Sequence, residues 1–246
     1  MALTAPPEAQ ALLLDLQRID TDLQRIAHRS RTLPEQARLD ELTALTASVR
    51  ESLAERENAL EDARLELSRV ESDVALVEKR IARDEGLVQQ SSSVKDIAGL
   101  EHEVASLKTR LSDLEEIELA IMEKVETIEA EVADARSTLE AHESAVAAAT
   151  EARDEALGGL ARERDNQTAD RADVASRIPA DLLALYEKQR ERYGVGASHL
   201  RARVSSASGV ELTGNDLASV RAAAPDAVIL CPDSNAILVR TAESGL

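Results

Sequence analysis

The sequence contains no phenylalanine and no tryptophan, and its only aromatic rings are two tyrosines, Tyr186 and Tyr193. Such rings ordinarily anchor a compact interior, so a chain of 246 residues without them is expected to pack by some other means. Cysteine occurs once, at Cys231, which excludes an internal disulfide framework. No apolar run approaches the length of a membrane span, and the opening stretch "MALTAPPEAQALLLDLQRID" lacks the basic region and cleavage site of a secretory leader. The expectation is a soluble cytoplasmic protein.

What is abundant is charge and helix-forming residues. Charged residues make up 31% of the chain, and with Ala and Leu they give the composition of long helices and coiled coils. The formal charge of −18 is uneven. Residues 195–246 hold four arginines against five acids, a net of −1, so the remainder carries −17. An acidic stretch of that kind repels nucleic-acid phosphates. A nucleic-acid role is therefore confined to the C-terminal segment or to local basic spots.

Heptad spacing is the strongest signal. Leu12, Leu16, Ile19, Leu23 and Ile26 alternate steps of four and three until Pro34, which predicts a kink or break near residue 34. The seam resumes at Leu39 and Leu42 and continues through Val49, Leu53, Leu60, Ala63, Leu67, Val70, Val74, Val77 and Ile81 to Val88; Thr46, Arg56 and Asp84 are polar residues on it. Three serines at 91–93 favour a turn over a helix interior, and Ser93 three residues before Asp96 is a capping arrangement. A second seam runs from Ile97 through Val104, Leu111, Ile121, Val125 and Val132 to Leu139, and helix signals persist to Ile178. Two arms of matched length around a tip near 90–95 predict an antiparallel hairpin over residues 1–194, in preference to a parallel dimer of unbroken helices. The first helix, 8–32, is expected to lie along 152–176.

Motifs of catalysis are wanting. "HEVAS" at 102–106 has Ser106 where a zinc protease needs its second histidine, and "GVGASH" at 194–199 lacks the third glycine and the preceding strand of a dinucleotide loop. Carboxylate pairs abound but read as solvated helix faces. His142, on the seam phase, reads as a packing residue. No enzyme is expected. Two places could contact a partner. Lys95, Asp96 and His102 gather after the serine turn, where they either dock a partner or cap the returning helix. Lys188, Arg190, Arg192, Arg201 and Arg203 form the one concentrated basic region, with the tyrosines interleaved, a combination suited to single-stranded nucleic acid; the same tyrosines could instead pack the junction between the hairpin and residues 195–246.

The C-terminal stretch "LRARVSSASGVELTGNDLASVRAAAPDAVILCPDSNAILVR", together with "VKDIAGLEHEVASLK" and "YGVGASHLRAR", resembles the bacterial coiled-coil hairpin proteins with a C-terminal C4-type zinc ribbon, a family described as nucleic-acid-binding. The resemblance implies a long antiparallel hairpin, a basic linker ending in an Arg-Ala-Arg-like run, two Cys-x-x-Cys knuckles around a short helix, and a final strand. Here the ligand positions of the family fall on Ser205, Ser208, Cys231 and Ser234. A serine hydroxyl is neutral at pH 7 and a poor substitute for the thiolate that zinc needs, so no structural zinc and no other cofactor is expected.

The fold class expected is mainly α: a hairpin followed, at 195–246, by a small zinc-ribbon-like α+β domain without its ligands. Val204, Val210, Leu212, Leu217, Val220, Val228, Leu230, Ile237 and Val239 are its expected core, packed on Leu182, Leu185, Tyr186 and Tyr193, with "TGND" at 213–216 capping a short helix. The expected role is non-enzymatic scaffolding or regulation through a protein partner. The alternative is nucleic-acid binding through Lys188, Arg190, Arg192, Tyr193, Arg201, Arg203 and Arg221. Neither a membrane nor a small-molecule substrate is expected.

Overall fold

The computed structural model describes residues 3–246. Its elements are helices α1 (Pro7–Arg31), α2 (Pro34–Gln90), α3 (Val94–Ser176) and α4 (Ala180–Tyr193), strands β1 (Ala197–Arg201) and β2 (Val204–Ser205), helix α5 (Gly214–Ala222) and strand β3 (Ile237–Val239). The chain is a long helical hairpin with a small three-stranded sheet region at its C-terminal end, and it forms two compact units, Gln36–Glu151 and the residues up to Glu35 together with Ala152–Leu246. Among the described residues no helix is long and apolar enough to cross a membrane.

In the first unit α2 and α3 run antiparallel about the serine turn. The Asp96 N–H donates to Ser93 Oγ at 3.4 Å and the Ile97 N–H to the Ser93 carbonyl at 2.9 Å, so Ser93 starts α3. Leu53, Leu60 and Ala63 of α2 are buried with Ile121, Val125 and Val132 of α3, and Val77 and Ile81 with Val104. Ion pairs between the two helices flank the seam: Arg50 with Glu143 and Arg64 with Glu129, each at 2.6 Å, then Lys124 with Glu66 at 3.0 Å, Lys108 with Glu85 at 2.8 Å, and Arg80 with Glu103. Exposed pairs of this kind contribute about 0–1 kcal/mol each; the buried aliphatic seam, at roughly 1.5–3 kcal/mol per side chain, stabilises the hairpin.

The second unit has a thicker core. Ala9, Leu13 and Leu16 of α1 pack with Ile178, with Leu182 and Tyr186 of α4, and with Ala197, Ile237 and Val239 of the sheet. The heptad reading of α1 is shifted here: Leu13 is wholly buried and Leu12 only partly, and the buried set extends to Asp20. A helix covered by both helices and strands needs a broader apolar face than a two-helix seam. The sheet order is β2-β1-β3, with β1 antiparallel to β2 and parallel to β3. Ala5 N–H donates to the Asp226 carbonyl at 2.8 Å and Val228 N–H to the Leu3 carbonyl at 3.1 Å, so the start of the chain is stitched to the segment after α5.

A second buried cluster, Leu200, Leu212, Val220, Cys231 and Leu238, lies between the sheet and α5. The expected core of this region is thereby corrected. Val210 and Leu230 are exposed at 51% and 39%, while Leu200 and Leu238 are fully buried. Ile237 and Val239 turn to α1 and α4, because a strand alternates its side chains and both faces of β3 are covered. Tyr193, expected at the junction, is 42% exposed; Tyr186 alone fills that role.

Candidate functional site

Three places follow from the sequence, and a fourth emerges from the fold. Ser205 and Cys231 are both fully buried, and the Cys231 thiol donates to Ser205 Oγ at 3.4 Å. Ser205 Oγ lies 2.7 Å from the buried Ser198 Oγ, which accepts from the Ala207 N–H at 3.0 Å. Burial by itself raises the Cys231 thiol, but hydrogen bonds that the Ser205 and Ser234 side chains and the backbone at Ser234 and Asp233 can give to the thiolate outweigh it and leave the thiol below its ordinary value. Ser208 turns elsewhere, accepting from the Val210 N–H at 3.3 Å.

The backbones at these two places match. Ser205 N–H donates to the Val210 carbonyl at 3.1 Å and Gly209 N–H to the Ser205 carbonyl at 2.8 Å. Cys231 N–H donates to the Ala236 carbonyl at 2.8 Å and Asn235 N–H to the Cys231 carbonyl at 2.9 Å. Gly209 and Asn235, at equivalent places, both have positive φ, 68° and 58°, which Gly and Asn tolerate best. The donor set, one thiol and three neutral hydroxyls, does not fit a structural zinc. Among the described residues no three His, Cys, Asp or Glu side chains are gathered as ligands would be.

The basic residues are dispersed and partly engaged. Lys188, Arg190 and Arg192 lie on α4; Arg201 ends β1, Arg203 sits in the two-residue turn into β2, and Arg221 lies on α5. Arg190 pairs with Glu187 at 2.8 Å and Arg201 with Glu243 at 3.1 Å. The Arg192 guanidinium stands 5.3 Å from the Tyr193 ring centroid. The Arg-Ala-Arg run is a strand end and turn, held by Ala202 and Arg203 N–H groups donating to the carbonyls of Glu243 and Ser244 at 2.8 and 3.0 Å. At the tip, Lys95, Asp96 and His102 are exposed on the first turns of α3, and none of their side chains forms an ion pair among the described residues.

The fourth place escaped the sequence reading. Asp20, 2% exposed, accepts from Arg171 Nε at 2.7 Å and Nη2 at 3.1 Å and from the Tyr186 hydroxyl at 2.6 Å. Arg190 Nε approaches its Oδ2 at 3.4 Å, and Glu187 joins Arg171 at 2.6 Å. Burial first, and the bond to Asp20 second, hold the Tyr186 hydroxyl well above the ordinary tyrosine range. The hydrogen bond to Asp20, reinforced by Glu187 against the opposing effect of burial, raises Arg171 further. Beside this cluster Gln17 Oε1 accepts from the Gly196 N–H at 2.7 Å. A Cβ on Gly196 would stand 2.5 Å from the Tyr186 ring, so this glycine serves close packing. The Asp20 carboxylate is enclosed and fully partnered, which suits an anchor joining α1, α3 and α4 better than a catalyst. Arg240 is a second unforeseen anchor: its guanidinium donates to five carbonyls from Val220 to Ala227, closing the end of α5.

A helical hairpin with stapled ends and a small sheet region against its own terminal helices defines a coiled-coil hairpin protein. The chain belongs to the CT398-like coiled coil hairpin domain family, whose model matches residues 16–194. It is similar to the uncharacterized protein Rv2229c of Mycobacterium tuberculosis, with 34% identity over 232 residues, 94% of this chain and 95% of that one. A solved structure from Mycobacterium smegmatis shares 36% identity at a TM-score of 0.87, covering 97% of this chain and 100% of that one. CT398 from Chlamydia trachomatis, at 19% identity and a TM-score of 0.65 over 94% of this chain and 97% of that one, shares the fold.

Proposed function

We propose that this chain is a non-enzymatic adaptor that binds a protein partner through its coiled-coil hairpin and C-terminal module, and that the module is a zinc-ribbon-like scaffold working without zinc. The observation that carries the partner reading is the state of the charges. The basic residues suited to phosphate are divided among separate elements, and Arg190 and Arg201 are already paired with acids. The hairpin meanwhile presents long acidic faces on which apolar side chains such as Leu119 and Met122 are exposed, and such surfaces bind helices readily. Support for the ribbon reading comes from the paired turns at Ser205–Val210 and Cys231–Ala236. Neutral hydrogen bonds net only about 0.5–1.5 kcal/mol each, against roughly 10–16 kcal/mol for a structural zinc. The hydroxyl cluster therefore does not replace a metal energetically; seating Ile237 and Val239 against α1 and α4 supplies stability from outside the module.

Affinity capture from native lysate, with and without nuclease, tests the adaptor reading: a protein partner retained after nuclease supports it. Steeply salt-dependent binding of single-stranded RNA or DNA, abolished by Arg201→Ala with Arg203→Ala, would replace it with a nucleic-acid role. For the ribbon reading, the wild type purified without chelator should carry no zinc, and the Ser205→Cys/Ser208→Cys/Ser234→Cys variant should take up one equivalent. Stoichiometric zinc in the wild type, or a triple variant indifferent to zinc, sinks that reading.

A further inference from the structure

Midway along the hairpin, residues 111–135 of α3 carry nine acids against the single Lys124, and residues 50–74 of α2 carry eight against four arginines. Of the nine on α3, only Glu129 and Glu131 have a cationic partner among the described residues, Arg64 at 2.6 Å and Arg56 at 3.8 Å. The same stretch exposes apolar side chains, Leu119 at 61% and Met122 at 49%. Spaced by three, these two share one helix face. With Leu67 and Val125 they floor an open groove of about 330 Å³ whose rim is Glu123, Glu126 and Glu129.

Isolated exposed leucines are common and need no explanation. This groove differs in two respects. The seam beneath it is already complete, since Ile121 and Val125 are buried against α2, so Leu119 and Met122 are not needed to close the hairpin. Of its rim carboxylates Glu123 and Glu126 also lack a cationic partner among the described residues, with Glu129 alone paired, to Arg64, whereas beside exposed Leu65 Arg136 pairs with Glu57.

An apolar floor between unbalanced carboxylates selects its occupant. A second copy of this chain would bring the same acids and be repelled. Nucleic acid and anionic membranes are repelled likewise. We propose that the Leu119–Met122 groove is the docking site for an amphipathic helix of the protein partner, its aliphatic stripe flanked by Lys and Arg, laid along the hairpin as a third helix. Helix-in-groove recognition has this form, and Met122 gives the floor adaptability. The inference rests on the adaptor reading and adds the surface and the partner's chemistry.

The test uses the full chain and a fluorescent synthetic peptide of about five helical turns, with Leu and Ile on one face and Lys and Arg flanking it. A charge-reversed twin and a scramble of the same composition serve as controls. The basic amphipathic peptide should bind, and both controls should bind about tenfold more weakly or less. Leu119→Gln with Met122→Gln, and separately Glu123→Gln with Glu126→Gln, should each weaken binding about tenfold, while Leu65→Gln should leave it unchanged. The altered side chains are solvent-exposed, so helical circular dichroism should match the wild type. No binding, equal binding of the scramble, or undiminished binding by the Leu119/Met122 variant overturns the proposal. Lysate capture separates the two levels. A partner held equally by that variant removes the groove and leaves the adaptor; no captured protein removes both; a partner lost with the variant but lacking a basic amphipathic helix removes the assigned chemistry.

Discussion

Two aspartates are buried almost equally, Asp20 in the unit with the thick core and Asp84 in the hairpin, at 2% and 1% exposure, yet their surroundings differ. Asp20 is held by a bidentate arginine and a tyrosine, each itself fixed by packing. Asp84 receives its neighbour Arg83 on Oδ1 at 3.1 Å, Arg80 stands off at 3.9 Å, and Oδ2 has no hydrogen-bond partner among the described residues. The same side chain is thus an anchor where three helices meet and two of them supply partners, and a liability where a two-helix seam cannot. A narrow seam has only one facing helix from which to draw a partner.

The largest effect should come from Asp20. Removing one member of a buried, hydrogen-bonded charge cluster costs about 3–5 kcal/mol, because the remaining charges stay buried. Asp20→Ala leaves Arg171 and Arg190 with only Glu187 between them. Urea denaturation should show a loss of that size, in the transition that exposes Tyr186. A change below about 1 kcal/mol, the value of an exposed pair, would mean that the cluster is solvated and the contrast with Asp84 is false.

Asp84 should respond in the opposite direction and by less. Leucine at this position continues the seam between Ile81 and Val88 and removes an unsatisfied oxygen, which costs about 1–3 kcal/mol where it is buried. Asp84→Leu should therefore raise the melting temperature of the full chain. A lowered one would show that a partner holds Oδ2 in solution. A raised melting temperature leaves the native aspartate a role other than stability: a polar residue in a seam disfavours alternative registers near the turn.

This contrast also marks how much the sequence carried. Asp84 and Thr46 were legible as polar interruptions because a heptad assigns every residue of a two-helix seam to one face or the other. The serine turn, the break before Pro34 and the Thr213 cap, which accepts from Asp216 N–H at 3.3 Å, follow from equally local rules. Asp20 was not legible. Its partners lie 151 and 166 residues away, and α1 packs on more than one element. The same reason hid the pairing of Leu3 and Ala5 with the segment after α5, and the burial of Leu200 and Leu238. At the knuckle positions the spacing indicated the turns, but Ser198, which completes the hydroxyl cluster from β1, stands outside the motif. The acidic groove escaped notice because carboxylates are abundant throughout; only the exposure of Leu119 and Met122 distinguishes it.

The smallest effect is spectroscopic and tests the anchor without breaking it. Tyr186 is held protonated above the ordinary tyrosine value of 10.0 by burial and by its bond to Asp20. A raised value in the folded state means that, above about pH 10, the unfolded chain loses a proton that the folded chain keeps. The stability tied to this group is complete below that pH and declines as pH rises toward the folded value. In a Tyr193→Phe variant Tyr186 is the only phenol, so ultraviolet titration reports it alone. Phenolate absorbance should stay absent through the ordinary range while circular dichroism remains native, and should then appear together with unfolding. Adding Asp20→Asn removes the negative charge that opposes ionisation and should bring phenolate formation to lower pH. Ordinary titration in the folded Tyr193→Phe protein would show that water reaches the Asp20 cluster, and Asp20 would then be no more firmly partnered than Asp84.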